Sequence, residues 1–344
     1  MAESVPDFDD LTPDLVIDTV EAALDIDFTS YTQPMPSYIN RVYELKSEDG
    51  EYFIIKFYRP GRWSQNALLE EHRFMLDCSA ADIPLASPLK MTGLTDGDEF
   101  TAPTLGRIEG FYFAVFNRKG GRLWESGDYD SWLRIGRLLG RMHNAGAERP
   151  ALNRLVLSSS ESFHNDVEEL LSSNWIHPDV KPDLTEVLTR LQSVVNSMFE
   201  RYDPGKESYI RVHGDFHSGN ILERPGEGLM LMDFDDMAMA LPVQDFWLLL
   251  PDHAPESGKE ITAILEGYRE FRTFNTETLM LIEPLRAMRM VYFLCWCGRQ
   301  KDDYRFQYNF PDWGSKAFWY KEIQDLNNQY DQIKRAIEEQ KLPF

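Results

Sequence analysis

Strand-forming residues crowd into the first third of this chain and the remainder reads as helix, which confines the fold to an α+β arrangement with its sheet at one end. Residues 42–46 and 51–58 are rich in β-branched and aromatic side chains, and Ser47-Glu48-Asp49-Gly50 between them suits a hairpin turn. In the second run Tyr52, Ile54, Lys56 and Tyr58 share one face, while Phe53, Ile55 and Phe57 share the other. Lys56 is therefore a lone cation among apolar neighbours. A strand lysine commonly snorkels to water from a sheet edge. A buried one needs a carboxylate, which the following segment supplies as Glu71, or as Glu70 if the helical phase differs.

That segment reads as a helix capped by Ser64, with Leu68, Leu69, Met75 and Leu76 on its apolar side and Pro84 closing it. A further strand over residues 111–116 runs into Asn117-Arg118-Lys119-Gly120-Gly121-Arg122, where glycine and charge replace apolar residues. The boundary is placed there: residues 1–117 form a small antiparallel-sheet lobe, and residues 118–344 a larger, mostly helical one. In the second lobe Asp130 or Ser131 can cap a helix through Trp132, Ile135, Leu139 and Met142 that ends near Gly146. Further helices are expected over residues 184–199, 260–271 and 276–299, and a hairpin at Arg224-Pro225-Gly226-Glu227-Gly228.

Composition removes several classes of function. A chain of 344 residues with 43% hydrophobic content can bury a large core. Its three cysteines, Cys78, Cys295 and Cys297, form no paired framework, and the acidic N-terminus lacks a secretory pattern, so a cytosolic setting is expected. The apolar run over residues 290–297 falls far short of the ~20 residues a membrane span needs. A formal charge of −22 repels nucleic acid. It does not exclude ATP, because magnesium and a few lysines or backbone amides neutralise a small anion locally.

The chemistry concentrates in His213-Gly214-Asp215-Phe216-His217-Ser218-Gly219-Asn220 and Met232-Asp233-Phe234-Asp235-Asp236, each placed where a short apolar run ends. Phosphoryl transfer from ATP needs magnesium on the phosphates, a cation beside them, and a carboxylate that orients the incoming hydroxyl and accepts its proton. Asp215 suits the last task, Asn220 that of a neutral magnesium ligand, Asp233 that of a charged one, and Lys56 that of the phosphate-side cation. Singly these are ordinary turn residues, and the combination carries the weight. Asp233, Asp235 and Asp236 would repel one another without a cation nearby. His213 is read as shaping the loop and Asp245 as capping a buried backbone turn. Arg286 and Arg289 either reach toward a phosphate or an acidic acceptor or pair with carboxylates of this acidic chain, and the pairing is favoured. Met288, Val291, Tyr292 and Trp296 are read as core.

Ser37-Tyr38-Ile39-Asn40-Arg41-Val42-Tyr43, Ile55-Lys56-Phe57-Tyr58-Arg59-Pro60, residues 213–222 and Glu283-Pro284-Leu285-Arg286-Ala287-Met288-Arg289 together resemble the kinase-like superfamily that includes aminoglycoside and choline phosphotransferases. Within it the resemblance is to bacterial stress-response protein kinases. It implies a bilobal, protein-kinase-like fold, ATP with Mg2+ as donor, and phosphorylation of Ser or Thr on protein partners and on the kinase itself, in defence against envelope and oxidative stress. It places the catalytic aspartate at Asp215, magnesium ligands at Asn220 and Asp233, and the phosphate-loop serine at Ser37. A monomer is expected.

The sequence departs from ordinary protein kinases in two places. No G-x-G-x-x-G precedes Lys56; residues 33–40 hold no glycine, so Ser37 and backbone amides must meet the phosphates. Asp233-Phe234-Asp235 replaces Asp-Phe-Gly and no Ala-Pro-Glu follows, so control through an activation loop is not expected. Three other readings compete: a kinase of a small hydroxylated metabolite or of aminoglycoside type, a metal-dependent hydrolase using His213, Asp215 and His217, and a nucleotide-binding module with a broken site.

Overall fold

The computed structural model describes residues 8–92, 99–303 and 306–339 and divides into two compact units. The first comprises Met1–Glu125, Ala151–Arg154 and Ser218–Asp236; the second comprises Ser126–Pro150, Leu155–His217 and Met237–Phe344.

The first unit is built on a six-stranded antiparallel sheet, in the order Phe28–Pro34, Arg41–Ser47, Tyr52–Phe57, Phe111–Asn117, Leu105–Ile108, Glu99–Ala102. Lys56 lies opposite Val42 on one neighbour and Ala114 on the other. It therefore occupies a central strand, where snorkelling past an edge is not open to it. Phe53, Ile55 and Phe57 pack with Val16, Val20 and Ala23 of the helix Pro13–Leu24, which covers that face. The alternation read from the sequence thus puts Lys56 and Tyr58 on the opposite face.

The helix Gln65–Ala80 starts at Ser64, whose hydroxyl accepts the Ala67 amide at 3.2 Å. It buries Leu68, Glu71, His72, Phe74, Met75 and Cys78, whereas Leu76, expected on the apolar side, is 39% exposed. The later segments join this unit by backbone pairing. Ile221–Arg224 is the middle strand of a three-stranded sheet with Arg122–Leu123 and Gly228–Leu231, and Leu231 bridges Leu85. This pairing is why the division falls after Glu125 and recruits Ser218–Asp236, where a single cut at 117/118 was expected.

The second unit is mostly helical, with one small antiparallel pair, Ile210–Val212 with Ala238–Ala240. The helix Tyr129–Ala147 is capped by Asp128, whose carboxylate accepts the Ser131 amide at 3.1 Å, rather than by Asp130 or Ser131. It packs against Gly258–Arg269 so closely that a Cβ on Gly136 would stand 2.0 Å from the Ile264 carbonyl, and one on Gly267 2.1 Å from that of Leu133. Arg211 closes the other end of the first helix by donating to the carbonyls of Ala145 and Gly146.

The helix expected over residues 276–299 is two elements, the 3₁₀ turn Thr276–Leu281 and the α-helix Ile282–Gln300. Pro284 sits in the first turn of the α-helix, where a missing N–H costs nothing. Lys181–Tyr202 and Lys316–Glu339 complete the bundle, and the latter was not expected from sequence. No helix among the described residues is long and apolar enough to cross a membrane.

Candidate functional site

In the first unit the chemistry gathers around Lys56. Its ammonium lies 3.2 Å from Asp233 Oδ1, 3.2 Å from Asp235 Oδ1 and 3.8 Å from Glu71 Oε1, and 4.9 Å from the centre of the Tyr58 ring. Burial works against its charge, and Asp235, Asp233 and Glu71 outweigh that cost, holding the ammonium well above its ordinary range. Of the two candidate glutamates, Glu71 faces Lys56. Glu70 points elsewhere and accepts the Leu152 and Asn153 amides at 2.7 and 2.8 Å. Burial pushes Glu71 upward, opposed first by Lys56.

Sequence reading missed two arginines here. Arg62 pairs with Asp235 and, at 2.5 Å, with Asp236. Arg154 is buried, stacks 3.9 Å from the Trp63 ring centre, donates to the Asp235 carbonyl and lies 3.8 Å from Glu71. Burial raises Asp235, and Lys56, Arg62 and Arg154 pull it down to about 2. Nothing in the local sequence could have flagged Arg154, which reaches the cluster because Glu70 holds the segment Ala151–Arg154 in place. These ion pairs join Glu71, Asp233, Asp235 and Asp236 to Lys56, Arg62 and Arg154.

Asp233 is the exposed member of the cluster. Its side chain is 56% exposed, and its backbone is left-handed at φ 55°. Few non-glycine residues adopt that conformation without a reason in the surrounding structure. The turn is pinned on both sides. The Met232 amide donates to the Asn220 carbonyl at 2.9 Å, and Phe234 is buried edge-on to Phe74. Asn220 ends the short 3₁₀ turn Ser218–Asn220 and is 9% exposed. An exposed carboxylate, tied through its neighbour to an amide-bearing residue, offers the oxygen ligands that a hard divalent cation takes.

Ser37 lies in the same unit, half-buried within the bends of residues 35–40. Arg59 braces this glycine-free loop. Its backbone amide donates to Asn40 Oδ1 at 3.0 Å, and its guanidinium donates to the carbonyls of Ile39 at 2.8 Å and Tyr38 at 3.2 Å.

In the second unit the loop 213–217 presents Asp215. Its Oδ1 accepts from Arg289 Nη2 at 2.7 Å, and its Oδ2 lies 3.2 Å from His217 Nε2. Burial raises Asp215, while the His217 hydrogen bond and the charge of Arg289 bring it down to about 2. Arg289 thus pairs with a carboxylate, as favoured from sequence, and that carboxylate is Asp215 itself. Arg286 also lies beside a carboxylate, with its Nε 3.6 Å from Glu283 Oε1, and it donates to the Asp252 carbonyl at 2.7 Å and lies over the Trp247 ring. Met288 and Val291 are core, whereas Tyr292 and Trp296 are only half-buried.

The loop's backbone is fixed from behind. Asp245 accepts the amides of His213 and Gly214 at 2.7 and 2.9 Å and lies 3.0 Å from His143 Nε2, whose other ring nitrogen meets the Tyr268 hydroxyl at 3.0 Å. Gly214 takes φ 82°, a turn that L side chains rarely make. His213 is buried with its ring edge-on to Phe216. Among the described residues, the three-ligand cluster suited to a metal is Asp166, Glu169 and Cys295, not His213, Asp215 and His217.

The model of the family described as "Phosphotransferase enzyme family" matches residues 32–281. The chain is 36% identical to stress response kinase A of Escherichia coli (strain K12) over 93% of this chain and 92% of that protein. It is 35% identical to the serine/threonine protein kinase RdoA of Salmonella typhimurium, over 91% and 90% respectively. Among solved structures it resembles the amicoumacin kinase hAmiN in complex with AMP-PNP, Ca2+ and Ami, with a TM-score of 0.68, 20% identity and coverage of 94% and 93%. A microcompartment-associated aminopropanol kinase gives 0.68 at 16% identity, covering 95% of this chain and 98% of the other. The buried lysine with its glutamate, the strained aspartate and the braced aspartate loop therefore sit within a known lineage of phosphoryl-transfer proteins, and this chain belongs to the phosphotransferase enzyme family.

Proposed function

We propose that this chain is a Ser/Thr protein kinase that uses ATP with Mg2+, phosphorylates protein partners and itself, and serves a bacterial envelope and oxidative stress response in the cytosol, acting as a monomer. The observation that carries the acceptor class is the 36% identity, spread over 93% of the chain, to a stress response kinase. The kinases named for amicoumacin and aminopropanol resemble it at 20% and 16% identity, which speaks to the fold alone.

In this reading Lys56, kept charged and aimed by Glu71, meets the donor phosphates, with Ser37 and the amides of its braced loop beside them. Asn220 and Asp233 would hold magnesium, which when bound supplies positive charge against the phosphate oxygens. Asp215 orients the acceptor hydroxyl. The hydroxyl oxygen bonds to the γ-phosphorus as the bond from that phosphorus to the bridging oxygen breaks, ADP leaves, and the hydroxyl proton passes to the Asp215 carboxylate. A carboxylate at about 2 is a weak base, so its main contribution is orientation, with the proton leaving late.

Incubating the purified chain with labelled ATP, magnesium and a cell extract tests the acceptor. Label is expected on Ser and Thr of proteins, the chain included, and absent with Asp215→Asn. Label found only in small molecules would overturn the protein-kinase reading in favour of a metabolite or aminoglycoside-type acceptor.

A further inference from the structure

Both carboxylate oxygens of Asp215 have a partner in the structure, and the two partners differ in kind. His217 belongs to the same loop, two residues on, and is titratable. Arg289 comes from the helix Ile282–Gln300, seventy-four residues away in sequence, and is a permanent cation. The titratable and charged groups that act on Asp215 include His213 and His217 from its loop and Arg289 from that helix. Asp245 stands behind the backbone of His213 and Gly214.

Arg289 is anchored for such a task. Its guanidinium lies 5.2 Å from the Tyr292 ring centre, on the same helix and one turn on, and the helix is seated by the buried Glu283, whose carboxylate meets the His253 ring at 2.8 Å, the Ala254 amide at 2.8 Å and Gln329 Nε2 at 2.9 Å. A helix fixed in this way delivers the guanidinium to one oxygen of Asp215 in one geometry.

We infer that Arg289 is a positioning residue for phosphoryl transfer: by donating to one oxygen of Asp215 from a separately seated helix, it holds that carboxylate in the one orientation that serves the acceptor hydroxyl. The inference rests on the reading of Asp215 given above. After the His217 hydrogen bond, the Arg289 charge is the next influence that keeps this largely buried carboxylate in its charged form.

Three measurements on the full chain decide it. The first is the carboxyl 13C titration of Asp215 in the ligand-free protein, wild type against Arg289→Gln. An upward move of the midpoint of ~1 pH unit or more is expected on loss of the adjacent cation, and an unmoved midpoint would overturn the inference. The second is turnover. Arg289→Gln should lower kcat ~10- to 100-fold with KM for ATP within about twofold, and raise the acid limb of the pH profile, while Arg289→Lys restores the limb and part of kcat. The third is the double variant, in which Arg289→Gln adds less than about twofold to the loss from Asp215→Asn, since both act through one carboxylate. Full multiplicative loss in the double variant, or loss of folding with no change of acid limb, would make Arg289 merely structural. If the wild-type chain transfers no phosphate, the kinase reading fails, while the 13C titration still decides whether Arg289 governs Asp215.

Discussion

Asp245 accepts the backbone amide of His213 at 2.7 Å, and through this bond and its partner to Gly214 a buried carboxylate sets the path of the loop that carries Asp215. Asp245→Ala would leave two buried amides and the His143 ring without their acceptor. Losing one partner of such a network costs about 2–4 kcal/mol. The urea midpoint is expected to fall accordingly, with transfer activity falling further than folding alone explains. A midpoint unchanged from wild type would mean that the loop holds its shape by other means.

Glu71 and Glu70 are neighbours in sequence and should behave oppositely. Glu71→Gln removes the buried carboxylate beside Lys56 and Arg154, so phosphate transfer should drop at least ~10-fold, with KM for ATP raised. Glu70→Gln weakens only the exposed bonds to residues 152 and 153, and a stability loss of no more than about 1 kcal/mol is expected with near-normal turnover. Equal effects in a side-by-side kinetic and denaturation assay would contradict the assignment of Glu71.

His72 gives the fold an acid sensitivity of its own. Burial, reinforced by Lys56 and Arg154, lowers it from 6.5 to about 3, and its ring nitrogens meet Tyr58 and Thr104 at 2.8 and 2.9 Å. Below pH 6.5 the unfolded chain takes up a proton that the folded chain refuses, so stability is full above that pH and declines as acid is added. The decline contributed by this one group approaches about 1.4 kcal/mol per pH unit. Denaturant melts between pH 7 and 5 should show a shallower decline for His72→Gln than for the wild type. Parallel slopes would remove His72 as the cause.

The helix pair of the second unit depends on two glycines. Gly136→Ala or Gly267→Ala would press a methyl group into a carbonyl of the opposing helix, and backbone cannot rotate aside as a side chain does. Such overpacking costs about 1–3 kcal/mol, visible as a lowered Tm by circular dichroism. Gly226, with open space at its Cβ but φ 77°, should lose less on the same substitution.

Legibility from sequence followed the range of the interactions. The hairpin around residues 47–50 and the two faces of Tyr52–Phe57 were readable because turn chemistry and alternation are local. Phe28–Pro34 was not, because Phe-Thr-Ser-Tyr-Thr-Gln-Pro shows little apolar alternation and its place at the sheet edge leaves most of it wet. Glu71 was readable as a helix residue that a buried lysine would need. Arg62 and Arg154 were not, since their partner Asp235 is 173 and 81 residues distant and no pattern of spacing connects them. Arg289 was noticed as a cation but its target was not, for the same reason.

The left-handed backbone of Asp233 makes stability and chemistry compete for one codon. A non-glycine residue held there costs on the order of 1 kcal/mol. Glycine would relieve that strain and erase the carboxylate at once. A library sorted only for thermal resilience should therefore enrich Asp233→Gly, whereas one sorted for turnover should purge it, and the frequency of glycine at this single position would report which pressure a population of such chains has been under.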